Sequence, residues 1–279
     1  MIVGVAAFTT IYPFIYVISM SISDPSETLK HTIWFLPKGF SDDAYVRVLH
    51  NSYLWRSFGN SVFYVAAGTA LNLIMSVLAA YPLAKKQLVA RKYFVIYLII
   101  PMFFSGGLVP TFLVVNKLGM YDTVWAVIIP GIVTIWNIIL VRTYFMTLPY
   151  SLQESAYMDG AGDRTILFKI MLPLSKPILA VIVLYCAVDI WNSWFNALIF
   201  LPSKELHPLQ LFLARVLIFA SGDFKTFSSL SLADVQKNMA TQVQLKYAVI
   251  VISTVPIMMI FPFLQKYFIK GALIGSLKE

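Results

Sequence analysis

Polar and apolar positions along this chain fall into long blocks. They do not show the strict alternation of a half-buried strand or the single stripe of a surface helix. The apolar blocks predict six spanning helices: roughly Met1 to Met20, Asn60 to Leu83, Tyr93 to Val115, Val124 to Met146, Pro177 to Leu201 and Tyr247 to Tyr267. Each is long enough to cross a hydrocarbon core of about 30 Å. Pro101, Pro130 and Pro256 interrupt three of them, and neighbouring helices and local kinks can accommodate such prolines. A shorter apolar run, Pro208 to Phe219, carries Arg215 near its middle. It is too short to span and fits a re-entrant or interfacial segment, or a short helix packed in an outer loop.

Between the fourth and fifth blocks the pattern changes. Gln153 to Pro177 holds three acids, one Arg and two Lys among glycines and prolines. Ser151 and Glu154 have the spacing of a capping box, which predicts a short helix from about Leu152. Gly160 and Gly162 stop or bend it, and Asp163 can cap a second short helix over 164–170. Pro173 is expected to break the chain, with Ser175 and Pro177 opening the fifth span. Ala156 and Gly160 are four apart and share a face, leaving a shallow surface for a partner. Leu152 and Tyr157 can anchor the module. The pattern fits either a docking element or an ordinary loop between spans.

Composition narrows the class. The chain of 279 residues is 59% hydrophobic and 12% charged, with a mean hydropathy of +0.78. A soluble domain carries roughly 25% charged residues, so the fold class expected is an all-α polytopic membrane protein. The net charge of +8 then serves orientation in the bilayer, with no nucleic acid implied. The linker 84–92 holds Lys85, Lys86, Arg91 and Lys92 and no acid, which places it in the cytoplasm. Six spans then put both termini and the polar module 147–176 inside, and the segment 202–246 outside. The first block lacks a basic leader and a cleavage site and reads as a retained span, not a signal peptide. The lone Cys186 lies in an apolar run and reads as a small buried hydrophobe.

The polar module has a specific likeness. Glu154-Ser155-Ala156, three residues, Gly160, nine residues, then Ile170, Leu172 and Pro173 resembles the EAA loop of ABC importer permeases, with Ser155 where Ala is usual. Tyr157 to Ala161 resembles the carbohydrate-importing branch. "DIWNSWFNALIF" (189–200) is similar to the Trp-Asn segment of maltose-type permeases, and 264–279 and 12–23 resemble that family's ending and first span. The chain looks like the smaller of two unlike permeases for oligo- and polysaccharides, a single transmembrane domain over 1–279.

That resemblance implies a multi-pass subunit of the bacterial cytoplasmic membrane. It would pair with a homologous second permease, sit on two copies of a cytoplasmic ATPase and receive sugar from an extracytoplasmic solute-binding protein. ATP and Mg would be bound by the ATPases, with no cofactor on this chain and no catalysis by it. Glu154, Ser155, Ala156, Asp159 and Gly160 would form the coupling surface, with Ile170, Leu172 and Pro173 holding its angle. The chain has no phosphate-binding loop ending in Gly-Lys-Ser/Thr, and no metal-ligand cluster. His31, His50 and His207 read as ordinary loop residues.

Asp189 is the one ionisable residue well inside a predicted span, a costly placement that often marks function. Trp191, Asn192, Trp194 and Asn196 surround it in sequence, and aromatic faces and amides suit a sugar path. Trp136 and Asn137 are similar candidates. An interfacial Trp belt, or pairing of Asp189 with a partner subunit, fits equally. Neutral and acidic saccharides both remain open, as do a permease for another solute, an ion-coupled secondary transporter and a non-transporting scaffold.

Overall fold

The computed structural model describes residues 2–30, 32–104, 106–219 and 240–259. These residues are all-helical, with no strand among them. Three helices are long and apolar enough to cross a membrane: Val3–Ile22, Ser52–Ala84 and Ala240–Met259. Three bent pairs pass the same test when each is taken as one span: Arg91–Phe103 with Leu108–Lys117, Trp125–Gly131 with Ile135–Thr147, and Asp163–Leu174 with Lys176–Asn192.

Several boundaries differ from the sequence expectation, each for a local reason. The second helix begins at Ser52, about eight residues early. The Asn51 side chain accepts from the Tyr53 amide at 2.9 Å, capping a helix of 33 residues. At 1.5 Å per residue it is about 50 Å long and overshoots a hydrocarbon core. The third block is not one helix. Its limbs turn by 110° after Gly107 takes a left-handed φ of +85°. The fourth bends by 46° beyond a tight turn containing Pro130. The fifth ends at Asn192 and resumes at Phe195–Phe200. The last is already helical at Ala240, seven residues before its expected start. Its expected end and the terminal motif 264–279 lie outside the described residues, as does 220–239 of the outer segment.

The chain divides into two compact units. One comprises Met1–Ser61 with Ser203–Met259. In it Gln244, fully buried, donates through Nε2 to the carbonyls of Ser21, Ser23 and Ser41 at 3.2, 2.9 and 3.0 Å. This stitches the last described helix to the end of the first. Arg215 lies on a helix, Leu209–Phe219, whose first turn buries Leu209, Leu211 and Phe212. The Leu209 amide bonds Ser61 Oγ at 2.7 Å, and Asn60 bonds the carbonyls of Glu205 and His207. His207 is buried against Tyr53, 2.5 Å from its hydroxyl. It is a packed residue and not a loop histidine at the surface.

The second unit contains Val62–Pro202. Its core packs Tyr81, Ile138, Phe145, Ile166, Met171 and Ile182, so the spans and the polar module share one apolar interior. Outside that core the apolar surface is open. The Arg91–Phe103 helix buries no residue, and Phe63, Ile74 and Leu78 of the long helix are exposed. Apolar patches of this extent mark a surface that lipid or another subunit covers.

Candidate functional site

The polar module begins on backbone and not on a capping box. Ser151 is already helical, and the first free amides go to carbonyls: Leu152 to Pro149, Gln153 and Glu154 to Tyr150. The Ser151 side chain therefore has no orphan donor to satisfy. The helix Ser151–Met158 ends at Asp159 by a glycine stop. The Gly160 amide bonds the Tyr157 carbonyl at 3.0 Å, and the Ala161 amide bonds the Ala156 carbonyl at 2.9 Å. This paired arrangement requires a left-handed residue at the turn, and Gly160 has φ +77°.

The second helix corrects two expectations. Asp163 does not cap it. It is the first helical residue, and its carboxylate is committed elsewhere. Pro173 does not break it. Leu167–Met171 forms a wide π-helical turn that relieves the clash a proline makes with the carbonyl four residues back, and the helix runs on to Leu174. The break comes at Ser175, with a 79° turn into Lys176–Asn192. Ser175 stands at the cap position without making a side-chain cap bond.

The Asp163 carboxylate meets Lys85, one residue past the end of the Ser52–Ala84 helix. Tyr157 Oη donates to Asp163 Oδ1 at 2.6 Å and accepts from Lys85 Nζ at 2.9 Å. Lys85 Nζ also lies 4.6 Å from the centre of the Tyr81 ring. Burial disfavours the Lys85 ammonium, but hydrogen bonds to Asp163, Tyr157 and Tyr81 outweigh it and raise its pKa. Bonds from Lys85 and Tyr157 lower that of Asp163 despite some burial. Because the folded value is depressed, the stabilisation is present above the ordinary carboxylate range and is lost only as pH falls through the lowered value. The pair stays ionised throughout the neutral range. Two more bonds tie down the basic linker and the end of the long helix: Gln87 Nε2 to Tyr150 Oη at 2.7 Å, and Arg142 Nε to the Leu83 carbonyl at 3.0 Å. Lys85, Gln87 and the 160–164 turn line a cleft of about 1060 Å³.

Of the expected coupling residues, Glu154, Ser155, Asp159 and Gly160 are exposed. Ala156 faces inward and packs with Tyr81 and Ile166, so it does not share an open face with Gly160. Ile170 and Leu172 lean on the same core, while Pro173 is exposed. Leu152 is exposed, and Tyr157 anchors through its hydroxyl.

The residues around Asp189 separate. Asp189 and Asn196 line a small cavity of about 70 Å³ with Tyr64, Gly68, Gly131 and Ser193. A cavity of this size suits a few waters. Trp191 is buried, and Trp194 and Trp136 are exposed away from that lining. Asn192 bonds the Val188 carbonyl at 2.8 Å. Asn137 is buried, and its amide donates to Asn72 Oδ1 at 3.0 Å and to Cys186 Sγ at 3.2 Å. Asn72 in turn donates to the Gly131 carbonyl and to Thr134 Oγ1 at 3.1 and 2.9 Å. Asn137 is therefore part of a clasp on the bend of the fourth span, with both amide hydrogens used. Neither Asn72 nor Lys85 was evident from sequence as a site residue, because no local spacing joins position 72 to 137 or position 85 to 163.

A family model described as "Binding-protein-dependent transport system inner membrane component" matches residues 72–274, which include the module, Lys85, the Asn72–Asn137 clasp and Asp189. The chain belongs to this family. As such it is the inner-membrane permease component of a binding-protein-dependent importer. The permease is 41% identical to Protein LplC of Bacillus subtilis over 99% of its length and 91% of the relative's. It is 38% identical to the polygalacturonan/rhamnogalacturonan transport system permease protein YtcP of the same organism, over 98% and 94%. Among solved structures it resembles a chain of a bacterial ABC transporter involved in the import of the acidic polysaccharide alginate, with a TM-score of 0.86 and 34% identity, covering 96% of this chain and 94% of that one.

Proposed function

We propose that this permease is one of two unlike membrane subunits of an ATP-driven importer that brings oligo- or polysaccharide across the bacterial cytoplasmic membrane. The observation that carries the coupling role is the exposed face of Glu154, Ser155, Asp159 and Gly160 on a helix bonded to the span ends. A homologous second permease, two cytoplasmic ATPases carrying ATP and Mg, and an extracytoplasmic binding protein complete the complex. Saccharide is the substrate class because the relatives' names specify polygalacturonan, rhamnogalacturonan and alginate.

The proposed topology has six spans: the three long helices, the first two bent pairs, and Lys176–Asn192 without the limb before it, with both termini cytoplasmic in one transmembrane domain. The basic linker 84–92 belongs inside by the positive-inside rule. The bond from Lys85 to Asp163 supports a module 147–176 on that same side, with 202–246 outside. ATP binding favours one arrangement of the spans and hydrolysis with product release the other, and the docked helix biases that equilibrium.

Gentle purification from native membranes, followed by mass spectrometry, tests the assembly. Recovery of a phosphate-loop ATPase and a second permease supports it. Recovery of the chain alone or as a homodimer, under several detergents, overturns it. Asp189→Asn is expected to lower sugar uptake severalfold at unchanged complex yield, with labelling of the Lys176–Asn192 helix by a photoreactive sugar. Reduced yield without sugar would instead assign Asp189 to packing.

A further inference from the structure

We propose that Lys85, Asp163 and Tyr157 form a positioning latch that makes the polar module rigid enough to move the spans. The inference rests on the importer reading above and deepens it. The module has a compliant point at its centre. Between its two helices the chain passes through Gly160, Ala161 and Gly162, with Gly160 left-handed and no atom of the protein within 4 Å of where a Cβ would stand on either glycine. The backbone bonds at that turn each stay within one limb, and none joins the first helix to the second. A push on the first helix could be absorbed there.

The latch closes across this point. Tyr157 lies on the helix before the glycines and Asp163 on the helix after them, and they share a 2.6 Å hydrogen bond. Lys85 joins both from a third segment, the end of the Ser52–Ala84 helix. The three side chains thus fix the angle between the module's helices and tie both to a span that is distant in sequence. The Lys85 side chain is only 17% exposed although that of Asp163 is 61% exposed, so the ammonium is held under the turn and not splayed into solvent. Gln87 to Tyr150 ties the basic linker to the start of the module's first helix, and Arg142 to the Leu83 carbonyl ties the end of the long helix to Ile135–Thr147.

Packing and latch are separable. Ala156, Ile166 and Leu167 seat the module in the apolar core with Tyr81 and Phe145, and none of these contacts depends on the charge of Lys85. Opening the latch should leave the module folded while loosening its transmission.

The test is saccharide taken up per ATP hydrolysed, measured in proteoliposomes that hold the whole complex. Wild type must first show ATP-driven uptake; failure there counts against the importer reading and not against the latch. Lys85→Met and Asp163→Asn are each expected to lower the uptake-to-hydrolysis ratio about fivefold or more. The exchange Lys85→Asp with Asp163→Lys, or Lys85→Arg alone, should recover much of it. Tyr157→Phe removes one hydroxyl, keeps the ring, and should give a smaller fall, covering the case in which a charge variant fails to assemble. A ratio unchanged in Tyr157→Phe and in every charge variant that assembles overturns the latch, as does uptake that falls only in step with the amount of complex.

Discussion

Replacing Gly160 with tryptophan is expected to reduce saccharide uptake by tenfold or more, with the chain still inserted and its partner subunits still present, whereas Gly160→Ala loses far less. Both substitutions force an L-residue to keep φ near +77°, at a similar cost of about 1–2 kcal/mol. Neither Cβ meets any atom of this chain within 4 Å. The difference between the variants therefore reads the space beyond the Cβ, around which the described residues place no atom within 4 Å. In the importer reading a partner subunit occupies that space. Tenfold corresponds to about 1.4 kcal/mol, a modest fraction of what burying an indole against a closed surface costs. The readouts are uptake in intact cells and membrane content by immunoblot. Equal uptake by the two variants would show that nothing docks at the turn.

Asn72→Leu is expected to be the most damaging single change inside the second unit. Its side chain serves the Gly131 carbonyl, Thr134, Asn137, Ser76 and Cys186. The Gly131 carbonyl lies at the bend in the fourth span, and without Asn72 it is left facing only the small cavity it lines. Each buried group left without a partner costs about 1–3 kcal/mol, less where the membrane-inserted chain can re-pair. A loss of about 2–4 kcal/mol follows, measured by denaturant titration of the detergent-solubilised complex. Asn137→Leu added to it should cost much less than it does alone, because the two residues share a bond. Additive effects in that double-mutant cycle would dissolve the clasp into separate contacts.

Much of the fold was legible because membrane helices are long and apolar, and hydrophobic blocks alone locate them. The positions of breaks were less legible. Pro101 was an obvious candidate for the third span, yet the helix continues through it to Phe103 and turns at the Gly106-Gly107 pair, where backbone freedom is greatest. Pro173 was expected to stop a helix and does not, because a wide turn precedes it. The need for glycine at 160 was visible from local pattern, since a helix stop is decided within a few residues. Asp163 was misassigned as a cap because sequence offers only its nearest neighbours as partners. Its true partner is 78 positions away, and that pairing exists only once the long helix and the module are packed together. The same holds for Asn137, which looked like a polar residue facing a path and is instead enclosed by Asn72 and Cys186.

Site-directed cross-linking tests the docked arrangement most directly. The single natural cysteine, Cys186, is buried, so an added thiol on the surface is uniquely accessible. In the assembled complex, a short reagent with one thiol-reactive and one photoreactive end should join Asp159→Cys to the ATPase subunit in high yield. Leu113→Cys, on an exposed apolar helix, should not join to it. A change in the Asp159→Cys yield on ATP binding would add that the contact moves with the cycle. If Asp159→Cys gives no more ATPase adduct than Leu113→Cys in a complex that contains the ATPase, the exposed face of the module is not where the importer is driven.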